Sequence, residues 1–233
     1  RHYFIDYALE NDAIYTHFGW SPQAESDIYN LGINNINGMV DDNPFWRDKS
    51  LGVATEHTVY TSMEKLKETI AKKEYRATSE EEPLLNYSID QLDFSDMEGA
   101  LKADEVLIEY SSYQTNKFVY DSTAKVYKKY SNDVERKDYV TGETFTAKNI
   151  ITYQVRNYSM DDYGRQEIDN IGSGDGYLIS NGYAVPITWE KDAPANKTVY
   201  KFLNGQEIRV NDGNTYIQIQ PEGKDFKISE NMS

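Results

Sequence analysis

Val199-Tyr200-Lys201-Phe202-Leu203-Asn204-Gly205-Gln206-Glu207-Ile208-Arg209-Val210 decides the architecture of the second half of the chain. Apolar and polar residues alternate on both sides of Asn204-Gly205, and an Asn-Gly pair tolerates the positive φ that a tight hairpin turn demands. Further turn dipeptides stand at Thr141-Gly142, Asp175-Gly176, Asn181-Gly182 and Asp212-Gly213. Upstream, the same period of two recurs in Val106-Leu107-Ile108-Glu109-Tyr110, Lys117-Phe118-Val119-Tyr120, Val126-Tyr127-Lys128-Lys129-Tyr130 and Ile150-Ile151-Thr152-Tyr153-Gln154-Val155. Downstream, Tyr216-Ile217-Gln218-Ile219-Gln220 alternates cleanly and predicts a half-exposed closing strand. Residues 103–233 are therefore expected to form a β-rich domain.

Before Ala103 the pattern is mixed. Phe4, Ile5, Ala8 and Leu9 share one helix face, which predicts a short helix from Arg1 to about Asn11. The aromatic, β-branched run Ala13–Phe18, closed by Gly19, suits a buried strand. Ser21-Pro22 sets a capping hydroxyl before a proline at the first helical position, and Gly32 stops that helix. Asn34–Ser50 is rich in turn formers and reads as a loop, although it carries Phe45-Trp46-Arg47. Thr61-Ser62 opens another capped helix reaching roughly Glu74, and Glu80-Glu81-Glu82-Pro83 reads as a solvated hinge. The expected fold class is α+β: an N-terminal mixed helix/strand domain over residues 1–102, followed by a mainly antiparallel β domain.

Composition narrows the function. The chain has 233 residues, enough for one large or two small domains, and its net charge of −15 repels phosphate backbones, so nucleic acid is not an expected partner. The acidity concentrates in residues 1–102, which hold nine basic and nineteen acidic side chains. There is no cysteine, which removes disulfides, thiolate catalysis and zinc–thiolate sites. No apolar run approaches the roughly 20 residues of a membrane helix. Arg1-His2-Tyr3-Phe4-Ile5-Asp6 has neither an initiator Met nor a signal-peptide pattern, and it opens directly on an amphipathic segment, so further sequence upstream is expected.

Several motifs together resemble one family. These are the run from Tyr7 to Ala24, Asn34-Asn35-Ile36-Asn37-Gly38, Phe45-Trp46-Arg47-Asp48, His57-Thr58-Val59-Tyr60-Thr61-Ser62, Asp138-Tyr139-Val140-Thr141-Gly142 and the segment Thr198–Pro221. As a set they resemble the YerB-like bacterial lipoproteins (DUF3048) along nearly the whole chain. The resemblance implies a protein of Gram-positive bacteria on the extracellular face of the cell membrane. It implies anchoring through an N-terminal lipidated cysteine that this chain lacks, and a strand-rich segment ahead of Arg1. The chain departs from the family pattern at Thr55-Glu56-His57-Thr58, where the family has Pro-His-Asn, which weakens a site role for His57.

No nucleophile elbow, phosphate loop, His-Glu-x-x-His or EF-hand pattern is present. Gly172-Ser173-Gly174-Asp175-Gly176 resembles a dinucleotide loop, but Tyr177-Leu178-Ile179 after it reads as strand, so a hairpin turn is expected there. The densest polar and aromatic constellation is Tyr7, Glu10, Asp12, Tyr15, His17 and Trp20, with Trp46, Arg47 and His57 able to join it by folding. Glu10 and Asp12 point apart along a helix, so a glycosidase pair would need one of them and a distant carboxylate such as Asp48. Solvation of a helix end is the favoured reading of both. His17 suits a proton shuttle or, in the favoured reading, a hydrogen-bonded structural imidazole. The three histidines lack metal-ligand spacing, and neither metal nor cofactor is expected.

Trp20, Trp46 and some of the twenty tyrosines have the flat faces that stack on sugar rings, although most tyrosines fall in strands where cross-strand packing explains them. Arg47 is expected in an internal ion pair. The candidate catalytic set is thus Glu10, His17 and Asp48; the candidate ligand-binding set is Tyr7, Tyr15, Trp20, Asn37, Trp46, Arg47 and His57. Two functions are in view. The first is a noncatalytic envelope module that binds cell-wall glycan, peptide or a protein partner. The alternative is a peptidoglycan-acting glycosidase or lytic enzyme with Glu10 as acid, and a bland third possibility is an assembly factor without a small ligand. Convergence of the N-terminal aromatic and histidine side chains on the largest cleft is the expectation on which the site depends.

Overall fold

The computed structural model describes residues 1–41, 44–79 and 81–230, and the chain divides into two units, Arg1–Pro83 with Pro194–Lys197 and Leu84–Ala193 with Thr198 onward. The division falls after Pro83 instead of after Lys102. Residues 84–102 supply strands that pair within the second unit and side chains, among them Leu85 and Phe94, that enter its core.

The first unit runs α1 (Tyr3–Glu10), β1 (Tyr15–His17), α2 (Pro22–Asn30), β2 (Asn35–Asn37), β3 (Phe45–Arg47), β4 (Val59–Thr61) and α3 (Met63–Lys72). Ser21 Oγ accepts the Ala24 N–H to cap α2, with Pro22 at its first position, and Ser62 Oγ accepts the Lys65 N–H to cap α3. Ile5 of α1 packs against Ala24 and Ile28 of α2, with Leu9, Tyr15, Trp20 and Ile33 around them. Each such aliphatic side chain contributes about 1.5–3 kcal/mol by leaving water. The strand expected over Ala13–Phe18 is only three residues long, because its one partner, parallel β2, is equally short. The expected loop Asn34–Ser50 contains β2 and β3, and β3 pairs antiparallel with β4. Asp42 and Asn43 of that loop, and Glu80 of the expected hinge, lie outside the described residues.

The second unit holds β5 (Asn86–Ser88), β6 (Leu101–Lys102), β7 (Glu105–Ser111), β8 (Gln114–Asp121), β9 (Val126–Ser131), β10 (Val134–Glu135), β11 (Thr146–Ala147) and β12 (Asn149–Val155). It continues with β13 (Asn157–Ser159), β14 (Gln166–Ile168), β15 (Gly172–Ser180), β16 (Tyr183–Lys191), β17 (Val199–Phe202), β18 (Arg209–Asn211), β19 (Thr215–Pro221) and β20 (Phe226–Ser229). One sheet has the order β10-β9-β8-β7-β20 with β11 on β9, and the other β17-β16-β15-β12-β19 with β6 on β16. Pairing is mostly antiparallel, but β12 and β19 run parallel, as do β5 and β18. The fold is α+β, and among the described residues the helices lie in the first unit.

Alternation explains the layering. Ile150, Ile179 and Ala184 on one face of the second sheet meet Val106, Ile108, Phe118 and Tyr127 of the first, forming a sandwich core. On the opposite face Ile151, Tyr153, Leu178, Val185, Ile187 and Trp189 are covered by Leu85, Phe94, Ile208 and Val210. Because both faces of that sheet are covered, β19 is not the half-exposed strand its alternation predicts. Gln218 and Gln220 are 3% and 1% exposed, and β20 follows them. Their buried amides are answered: Gln218 Oε1 accepts from Tyr110 Oη (2.9 Å) and Asn116 Nδ2 (2.8 Å), and Gln220 Nε2 donates to the carbonyls of Glu109 and Asp225. A second buried network joins Asn149, Ser180 and Asn211. Asn149 Oδ1 accepts from Ser180 Oγ and the Asn211 N–H, while Asn211 Nδ2 donates to Ser180 Oγ.

The turns follow their chemistry. Asn181 and Gly182 both have positive φ (51° and 81°), the requirement of a two-residue type I′ hairpin between β15 and β16. At Asn204-Gly205 only the glycine has positive φ, and Phe202 N–H donates to Gln206 O across a three-residue loop. Asp175-Gly176 is no turn. It lies inside β15, paired with β16 along its whole length.

Candidate functional site

The N-terminal candidates form three separate arrangements. Tyr15 stacks on His17 at 4.6 Å, His17 approaches Trp20 at 5.6 Å, and Trp20 meets Tyr29 edge-on at 6.0 Å. The His17 ring is tied at both ends, Nδ1 lying 2.9 Å from Gly19 O and Nε2 3.2 Å from Asn35 Oδ1. Burial, and secondarily the neighbouring Tyr3, hold the Tyr15 phenol above its ordinary pKa. Trp46 instead stacks on Tyr60 across the β3–β4 ribbon, with Lys65 over its ring. Among the described residues Arg47 has no ion pair. Its guanidinium lies 5.0 Å from the Phe18 centroid and donates to the Thr55 carbonyl and Thr58 Oγ1.

The remaining candidates hold structure. Asn37 is buried, and its Oδ1 accepts the N–H groups of Gly19 and Met39, pinning together the turns that follow β1 and β2. Asp48 caps the 3₁₀ turn Lys49–Leu51, accepting from Ser50 N and Oγ, and those bonds hold its carboxyl below the usual range. Asp12 pairs with Arg76 and accepts from Ser79 Oγ. Glu10 is buried at the end of α1, so it does not solvate a helix end; Tyr7 is half-buried one turn earlier and His57 is exposed. A small depression of about 210 Å³ in this unit, lined by Ala8, Leu9, Asp12, Leu31, Asn34 and Arg76 among others, includes none of the ten candidates. None of the described cavities brings Glu10, His17, Trp20 and Trp46 together.

A cavity of about 720 Å³ lies wholly in the second unit. Its origin is a break in one ladder. Pairing between β12 and β15 ends at Tyr153↔Gly176, yet β12 continues against β19 to Val155↔Pro221 and β15 continues against β16 to Gly172↔Lys191. The two sides meet again where the Asp169 N–H donates to Arg156 O at the foot of the β13–β14 hairpin. Between these closures Gln154 and Val155 face the longer stretch Asn170–Asp175, so a window opens in the sheet.

Register fixes what lines it. The Val155 carbonyl accepts from Glu222 N–H on the β19 side, so alternation turns the peptide groups of Gln154 toward β15, where Asp175 stands unpaired with β12. The peptide groups of Gln154 and Asp175 therefore border the opening. Tyr153 and Trp189 wall one face, stacked at 4.7 Å, and Tyr177 with Phe226 wall the other. Gly174 and Gly176 lie under the first pair. A Cβ at 174 would sit 2.9 Å from Trp189 Nε1, and one at 176 would sit 2.6 Å from Thr152 O. Trp189 is 4% exposed and its indole N–H has no acceptor among the described residues. At the rim Arg156 and Asp169 form an ion pair at 3.7 Å, while the exposed carboxylates of Asp175 and Glu222 have no cationic partner among the described residues.

Reading the sequence missed this site, although its signal was present: glycine at 172, 174 and 176 puts three absent side chains on one face of a strand. Among the described residues no three His, Asp or Glu side chains gather as metal ligands, and no helix is long and apolar enough to cross a membrane.

Comparison with known proteins gives concordant results. Residues 1–76 match the model described as "Protein of unknown function (DUF3048) N-terminal domain", and residues 106–217 match the corresponding C-terminal domain. The chain is 28% identical over 227 residues to a Bacillus subtilis (strain 168) protein named "Putative lipoprotein YerB", covering 95% of this chain and 65% of that protein. It also resembles the crystal structure of the YerB protein from Bacillus subtilis, with a TM-score of 0.82 and 25% identity over 99% of this chain and 75% of that one.

Proposed function

Since the chain belongs to the DUF3048 family, we propose that it acts as a noncatalytic binding module of the bacterial cell envelope, carried outside the membrane by a lipid anchor in its full-length form. One observation carries the reading: the sheet window of about 720 Å³, within the size range of ligand sites, walled by aromatic rings and bordered by unladdered peptide groups. Envelope ligands of the expected kinds, cell-wall fragments or peptides, offer the amides that such a border accepts. The lipoprotein name of the Bacillus subtilis relative supports the location. The arrangement of Glu10, buried in α1, and Asp48, engaged with Ser50, offers no support to a glycosidase.

Titration of isotopically labelled protein with soluble muropeptides, which carry both sugar and peptide, tests this. Amide shifts are expected at residues 153–156 and 172–177. Shifts confined to the first unit, or none with any fragment, would overturn the assignment of the window.

A further inference from the structure

We propose that the window selects an extended peptide segment bearing a basic side chain. This rests on the reading of the window as a binding site and names its ligand class. Three observations converge on it. First, the border is peptide-like: beyond the last ladder pair, Tyr153↔Gly176, the Gln154 carbonyl and the Asp175 N–H are not paired across β12 and β15, and another stretch of main chain satisfies such groups best. Second, the rim is unbalanced in charge. Arg156 is committed to Asp169 and to the Tyr158 ring, and Lys224 faces Glu109, so Asp175 and Glu222 remain to receive an ammonium or guanidinium group.

Third, the indole N–H of Trp189, buried beside Gly174, lacks an acceptor, and a buried unanswered donor costs free energy that a ligand carbonyl presented across Gly174 would recover. A neutral glycan could supply hydroxyls to these groups but nothing to the two carboxylates. Trp189 and Tyr153 already cover Gly174 and Gly176, whereas Gly172 has open space above it, so a peptide gains close access to the β15 backbone at Gly172.

The test uses trilysine, acetyl-trialanine amide and a neutral muropeptide as probes, read by amide shifts in the whole described chain. Trilysine is expected to shift residues 153–156 and 172–177, and Asp175→Asn combined with Glu222→Gln is expected to weaken it by about tenfold or more, as added salt does. Both positions are exposed, and an unchanged melting curve checks that the variant is folded. Equal affinity for trialanine, or an unaffected double variant, would overturn the inference. Binding of the muropeptide at the window without trilysine binding would overturn it while leaving the broader reading standing; no window response to any probe would remove both.

Discussion

The Tyr153 and Trp189 rings stack at 4.7 Å with their planes 30° apart, directly over the two glycines that face them across the sheet, Gly176 and Gly174. The glycines differ in what a methyl group would strike. At 176 it would strike a backbone carbonyl, that of Thr152, whereas at 174 it would strike the indole edge. Gly176→Ala is expected to cost about 1–3 kcal/mol, and Gly174→Ala distinctly less, because a ring can tilt and a ladder carbonyl cannot. Denaturant melts of the two variants check the order, and Trp189 fluorescence should change more in Gly174→Ala.

Asn149 is the hub of the second unit's buried polar network, and its Oδ1 serves two donors at once. Replacing it with alanine removes the side-chain partner of both the Asn211 N–H and the Asn211 carbonyl inside the protein, while the Ser180 hydroxyl keeps the Lys148 carbonyl. A loss of about 3 kcal/mol or more is expected from chemical denaturation, with Asn149→Asp costing less because the acceptor remains.

Alkaline stability should report the buried tyrosines. Burial holds the Tyr110 and Tyr127 phenols well above their ordinary pKa of 10.0, so above pH 10 the unfolded chain releases protons that the native chain keeps. Their contribution is fully present below pH 10 and is lost as pH rises toward the native values. Tyr110→Phe should cost about 1 kcal/mol at neutral pH, since it removes the bond to Gln218 Oε1, yet flatten the fall in stability above pH 10. A curve as steep as that of the parent protein would contradict this.

His17 tests whether the aromatic run of the first unit is structural. With Nδ1 on Gly19 O and Nε2 on Asn35 Oδ1, the ring joins β1 to its flanking turn and to β2. His17→Ala is expected to destabilise the protein by about 1–3 kcal/mol while leaving amide shifts at the sheet window unchanged on ligand addition.

How much of this was written in the sequence depends on what each residue meets. Ser21-Pro22 and Ser62 announced their helices because a cap is a local interaction. Asn181-Gly182 announced its hairpin for the same reason. Gln218 and Gln220 misled, because alternation shows that a strand has two faces and cannot show that both are covered. The aromatic stretch Tyr15–Trp20 looked like a site because aromatics, a histidine and carboxylates stood close in the chain; in three dimensions the rings pack on one another. The window arises where one ladder ends between strands about twenty residues apart, a relationship that no local pattern encodes.

The pairing of β19 with β12 and of β20 with β7 bears on how the protein is made. An edge of each six-stranded sheet is supplied by one of the last two described strands, β19 and β20, long after its neighbour has been synthesised. Neither layer can finish until residues 215–229 are available, so a nascent polypeptide lacking them stays short of its stable state.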